Sequence, residues 1–107
     1  MTYNARRSTH KHMIKSFKNS AAAKLYQEGK ITGFRGLDVE LAFERLDVLD
    51  AATSLSDIPP LRSIHLHRLK GKRKGQWAIS VNGPWRICFE WRDGDAYNVE
   101  ITDYHKG

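Results

Sequence analysis

From Gln76 to His105 the chain alternates apolar and polar residues with period two. Trp77, Ile79 and Val81 share one side, as do Trp85, Ile87, Phe89 and Trp91, and then Tyr97, Val99 and Ile101. Successive side chains leave a strand on opposite faces, so this pattern predicts strands with one face buried. Asn82-Gly83-Pro84 and Asp93-Gly94 divide the stretch into three runs, a three-stranded antiparallel meander. The other face carries Ser80, Arg86, Cys88, Glu90, Thr102 and Tyr104.

Residues that pair across strands share a face, so parity restricts the register. A three-residue Asp93-Gly94-Asp95 loop sets Phe89 opposite Val99, Ile87 opposite Ile101 and Arg86 opposite Thr102. The turn at Asn82-Gly83-Pro84 sets Ser80 opposite Arg86. Tyr104 becomes the diagonal neighbour of Arg86, roughly 7–8 Å away between backbones, and His105 follows at the strand end.

Before the meander the period changes. Residues 1–12 show no apolar periodicity and read as a disordered extension, with one domain over 13–107. Ile14 to Phe17 alternates as a short first strand. Asn19 or Ser20 can cap a helix that ends at Gly29. A second helix over Leu37 to Ala52 sets Val39, Ala42, Phe43, Leu46 and Leu49 in one stripe. Its acids Asp38, Glu40, Glu44, Asp47 and Asp50 read as a solvated face. Residues 54–60 form a linker closed by Pro59-Pro60. Ile64 and Leu66 alternate with His65 and His67 as another strand, which breaks or bulges around His67-Arg68. Lys70 to Gly75 is then a basic loop. The result is an α+β fold in which a short strand and a helical hairpin pack on a small antiparallel sheet.

Composition adds few constraints. At 107 residues, 40% hydrophobic and 28% charged, the chain has the make-up of a folded domain. Lone Cys88 excludes an internal disulfide and fits a reducing cytoplasm. No apolar run reaches the length of a membrane span, so neither export nor a membrane role is expected. Of the net charge of +6, Arg6, Arg7 and Lys11 supply three, leaving +3 on 13–107. The distribution says more than the total. Residues 61–75 hold Arg62, Arg68, Lys70, Lys72, Arg73 and Lys74 and no acid, a pattern suited to phosphate.

The candidate chemistry follows from residue types. A strand-held arginine can grip phosphate through two hydrogen bonds, and its charge does not titrate away. Histidine moves protons near neutrality, and a tyrosine hydroxyl can orient a nucleophile. Together they suit RNA cleavage by the ribose 2′-OH without metal or other cofactor. Other readings stay open. Arg86 could pair with Glu90 or Glu100, and Tyr104 and His105 could be an ordinary chain end. His65 and His67 could bind a metal, though no third ligand is evident. Cys88 reads as a structural thiol, and the tryptophans as core rather than base-stacking platforms.

LHRLKGKRKGQWAISVNGPWRICFEW followed by GDAYNVEITDYH resembles the HigB toxins of the RelE/ParE superfamily, of the plasmid-maintenance killer-protein type. The likeness runs from Met13 to His105 and includes the MIKSF start and the helix end near Leu49 to Ala52. It implies a RelE-like fold and a ribosome-dependent mRNA interferase that cuts message in the ribosomal A site. By motif position it implies phosphate stabilisation by Lys70 and Arg86, with Tyr104 and His105 ordering the 2′-OH and moving its proton. His67 would support either task. Arg62, Arg68, Lys72, Arg73 and Lys74 would bind RNA or the ribosome. The implied partner is a HigA-type helix-turn-helix antitoxin, through which alone the toxin would reach operator DNA. Lys106-Gly107 extend beyond the usual DYH end. The alternatives are a catalytically silent RNA- or ribosome-binding translation blocker and a ParE-like gyrase poison.

Overall fold

The computed structural model describes residues 14–29 and 33–103. The expected extension at 1–12 and the terminal Tyr104, His105, Lys106 and Gly107 lie outside the described residues. Two helices, α1 (Ser20–Glu28) and α2 (Val39–Ala51), precede four strands: β1 (His67–Arg68), β2 (Trp77–Ser80), β3 (Arg86–Arg92) and β4 (Asp95–Thr102). The strands form one antiparallel sheet in the order β1-β2-β3-β4.

Local chemistry accounts for both helices. The Asn19 side chain accepts a hydrogen bond from the Ala22 amide, and Gly29 closes α1 in the left-handed conformation, φ 72°. Asp38 caps α2 by accepting from the Leu41 amide. Ala42, Leu46 and Leu49 from the expected stripe meet Leu25, Ile79, Ile87, Phe89 and Val99 in one buried core. Each large side chain buried there contributes about 1.5–3 kcal/mol. Trp85 is buried too, and its Nε1 donates to the Arg35 carbonyl at 3.0 Å.

Two charged side chains of α2 are buried, one of them, Asp50, against expectation. Asp50 is 3% exposed, and its carboxylate accepts from the Ile14 amide (3.0 Å) and the Tyr26 hydroxyl (3.3 Å). It is thus a structural acceptor that ties the first segment to both helices, not part of a solvated face. Arg45 is 7% exposed and donates to the carbonyls of Ser80 and Ser63. The first segment itself runs parallel to β4, with bridges Ile14–Ala96 and Phe17–Val99 covering the sheet edge.

The meander register agrees at Ser80–Arg86, Arg86–Thr102 and Ile87–Ile101, but by a different route from the one expected. Arg92 pairs with Asp95, so the turn has only two residues, Asp93 and Gly94, both at positive φ (49° and 80°). That is the geometry favoured in tight hairpins. The register then shifts between Cys88 and Glu90, where Asn98, at φ 53°, adds one residue to β4. Asparagine tolerates this left-handed conformation. The bulge restores the offset that the shorter turn removed. It also corrects the face of Tyr97, which pairs with Glu90 on the polar side, while Ala96 takes the core position opposite Trp91.

Residues 62–64 turn rather than extend, and His65 has φ 50°, so the strand expected at Ile64 to Leu66 is absent. The Ile64 and His65 amides both donate to the Leu61 carbonyl, which closes that turn. The strand starts at His67 instead. Residues 54–60 are more ordered than a linker, since Asp57 accepts from the Thr53 and Ser54 amides around a short 3-10 turn. These bonds hold the Asp57 carboxyl below its ordinary pKa.

Candidate active site

The sheet face away from the helices is built in rows. His67 pairs with Ala78, Ala78 with Cys88, and Cys88 with Glu100. One step along lie Ser80, Arg86 and Thr102. Directly paired residues share a face, so His67 and Arg86 occupy the same one. Standard strand spacings put their backbones roughly 10–12 Å apart, wide enough to seat a phosphate between the side chains.

Arg86 is half-buried, and its Nη1 donates to the carbonyls of Gly83 (2.8 Å) and Trp85 (2.9 Å). Neither acid considered for it forms an ion pair with it among the described residues. Glu90 lies near Arg92 at 3.9 Å, and Glu100 is engaged by Arg73 (3.2 Å) and Lys18 (3.6 Å). Arg86 therefore brings to the face a charge that no ion pair among the described residues neutralises, steadied by carbonyl dipoles.

His67 Nδ1 lies 2.8 Å from the His65 carbonyl oxygen, which can only accept, so Nδ1 carries the proton. The neutral ring then bears its lone pair on Nε2. The rings of His65 and His67 stack at 4.4 Å between centroids, and no third His, Cys, Asp or Glu groups with them among the described residues.

Arg62, Arg68, Lys70, Lys72 and Lys74 are exposed. The Arg68 guanidinium lies 5.2 Å from the centre of a Trp77 ring, a cation–π contact that orders it. Arg73 differs from its neighbours in being half-buried, because Nη1 reaches Gln76 Oε1 (3.1 Å) and Glu100 Oε1 (3.2 Å). The expectation from sequence missed this tie. Its trace there is Glu100, one of two acids, with Glu90, on the polar face beside a basic loop. Cys88 is 1% exposed beneath these charges, and burial pushes its thiol up to about 11. An inert structural thiol is what that environment makes. Tyr104 and His105 lie outside the described residues, so the site is described without them.

Residues 15–105 match the family described as RelE-like toxin of type II toxin-antitoxin system HigB. The chain belongs to this HigB-like toxin family. Two relatives span nearly the whole of it. It is 42% identical over 94 residues to "Endoribonuclease HigB" of Proteus vulgaris, covering 87% of this chain and all of that protein. It is 36% identical over 97 residues to "Toxin HigB-1" of Vibrio cholerae serotype O1, covering 88% and 99%. Membership in a type II system implies an antitoxin partner, and the two helices with a four-stranded sheet are the α+β architecture expected. No helix among the described residues of this HigB-like toxin is long and apolar enough to cross a membrane.

Proposed function

We propose that the chain, acting as one domain over 13–107, is an endoribonuclease toxin that cleaves messenger RNA on the ribosome. The observation that carries this is the sheet face on which Arg86, with no ion pair among the described residues, and a proton-carrying His67 sit beside an acid-free basic loop. The name of the Proteus vulgaris relative supports the same reading. Arg86 and Lys70 stabilise the phosphate as negative charge builds on it. Tyr104 and His105 orient the ribose 2′-OH and take its proton, and His67 Nε2 assists as acceptor. The 2′-oxygen bonds to phosphorus while the bond to the 5′-oxygen breaks. That oxygen leaves with the proton handed on from the 2′-OH through the site's proton-transfer groups, giving a 2′,3′-cyclic phosphate and a 5′-hydroxyl. Metal is not required in this scheme.

Arg62, Arg68, Lys72 and Lys74 hold RNA or ribosome by charge, the antitoxin is of the HigA helix-turn-helix type, and the site of action is the cytoplasm. Mapping message ends on translating ribosomes, with and without chelator, tests the scheme. Cyclic-phosphate ends that vanish in Arg86→Ala support it. Stalled ribosomes on intact message would leave a translation blocker, and DNA damage without cleavage a gyrase poison.

A further inference from the structure

Four cations sit between β1 and β2, and one of them is spent on the protein itself. Lys70, Lys72 and Lys74 are exposed, whereas the Arg73 side chain turns inward and donates to Glu100 on β4 and to Gln76. From a loop between β1 and β2, that side chain must cross β3 to reach β4. The residue facing Glu100 on β3 is Cys88, buried in the row so spanned. Backbone bonds of the loop are local: Arg73 to the Lys70 carbonyl, Lys74 to Gly71 and Gln76 to Arg73. Leu69 to Gln76 closes the hairpin base. Among the described residues, the long tie from the loop to the far side of the sheet is the Arg73–Glu100 pair.

The pair has an electrostatic side. A free carboxylate in the row next to Arg86 would repel a phosphate. Lys18 also approaches Glu100, at 3.6 Å, so two cations cover one acid and the face stays positive.

We propose that Arg73 and Glu100 form a clamp that positions the basic loop, holding Lys70 beside the face that carries His67 and Arg86. Arg73 is then a positioning residue, not a contact to RNA. The functional half of this inference rests on the endoribonuclease reading. Misplacing a catalytic group by about an ångström costs roughly a hundredfold, so a loop cut loose should lose turnover more than binding.

The test compares Arg73→Ala, Glu100→Ala, Glu100→Gln and the Arg73→Ala/Glu100→Ala double variant, each checked for thermal unfolding. Amide hydrogen exchange reads the loop, and cleavage of ribosome-bound message gives kcat and KM. Expected is faster exchange at Gly71 to Lys74 in both alanine variants. A fall in kcat of roughly ten- to a hundredfold should accompany it, and the double variant should be no worse than the singles. Arg73→Lys, which keeps the charge, should recover part of the loss. If Glu100→Ala fails to fold, the near-isosteric Glu100→Gln carries the comparison. The clamp is overturned if Arg73→Ala impairs cleavage while the Glu100 variants match the parent in both loop exchange and kcat. Arg73 would then touch RNA itself. A parent protein that cleaves no RNA would defeat the endoribonuclease reading, while the exchange data would still decide the clamp.

Discussion

His67 and Arg86 stand on one face of the sheet, separated by β2 and offset by two residues along it, because His67 pairs with Ala78 while Arg86 pairs with Ser80. Between them Ala78 is fully buried. Arg86→Ala should lower cleavage about a hundred- to a thousandfold, the usual effect of losing one transition-state donor. Arg86→Lys should restore little, since a point charge does not reproduce the guanidinium fork. Single-turnover cleavage of ribosome-bound message measures both, and thermal unfolding should hardly change because, among the described residues, the Arg86 side chain bonds only to the adjoining turn.

The exposed lysines should act through salt. Replacing Lys70, Lys72 and Lys74 by alanine one at a time should flatten the dependence of log K on log salt for single-stranded RNA. The slope should change by about 0.7 for each phosphate that the variant no longer neutralises. Fluorescence anisotropy at several salt concentrations reads this. Lys70→Ala should in addition reduce kcat, which separates its role from that of its neighbours.

Cys88 should be chemically quiet. With its thiol pushed up to about 11 by burial, little thiolate exists at pH 8, and alkylation there should follow only global opening. The sign for stability follows from the same shift. The unfolded thiol ionises first, at roughly pH 8.5, so the folded state loses stability as pH rises from there toward the folded value. Cys88→Ala should remove that loss while retaining cleavage, as urea titrations across pH with the two proteins would show.

Gly94 closes the two-residue turn at φ 80°, and a Cβ there would lie 3.1 Å from the Thr53 carbonyl oxygen. Gly94→Ala should therefore lower the melting temperature by roughly 5–10 °C, the left-handed penalty of about 1–2 kcal/mol plus the steric clash. Calorimetry gives the value.

Arg45 offers the strongest test of the buried framework. Its guanidinium joins α2 to the carbonyls of Ser80 and Ser63. Arg45→Met should keep the packing but orphan both acceptors, costing about 2–4 kcal/mol in denaturant unfolding.

Much of this protein is legible in its sequence, because alternation and capping are local. Tryptophans and aliphatics at every second position mark a face that water leaves, and Asn19, Gly29 and Asp38 act on backbone groups a few residues away. The pairing of Arg86 with Thr102 is the one that parity predicts, but it is reached only because the bulge at Asn98 makes up for a turn one residue shorter than the expected one. Other features depend on what packs above or beside a residue. The bulge at Asn98 is met by Ser16, 82 residues earlier, whose hydroxyl accepts from the Asn98 amide. That hydrogen bond sits where Tyr97 changes face. Asp50 and Arg45 look like surface charges until Ile14, Tyr26, Ser63 and Ser80 supply their partners. His67 joins Arg86 because β1 starts later than the alternation implies, after His65 turns through positive φ. Arg73 leaves the set of exposed cations because Glu100 lies across the sheet from it. Local pattern determined the strands, the core face and the supply of charge. The tertiary structure decided which charges remain free to meet a phosphate, since a partner distant in sequence can satisfy a charge only once the chain has folded.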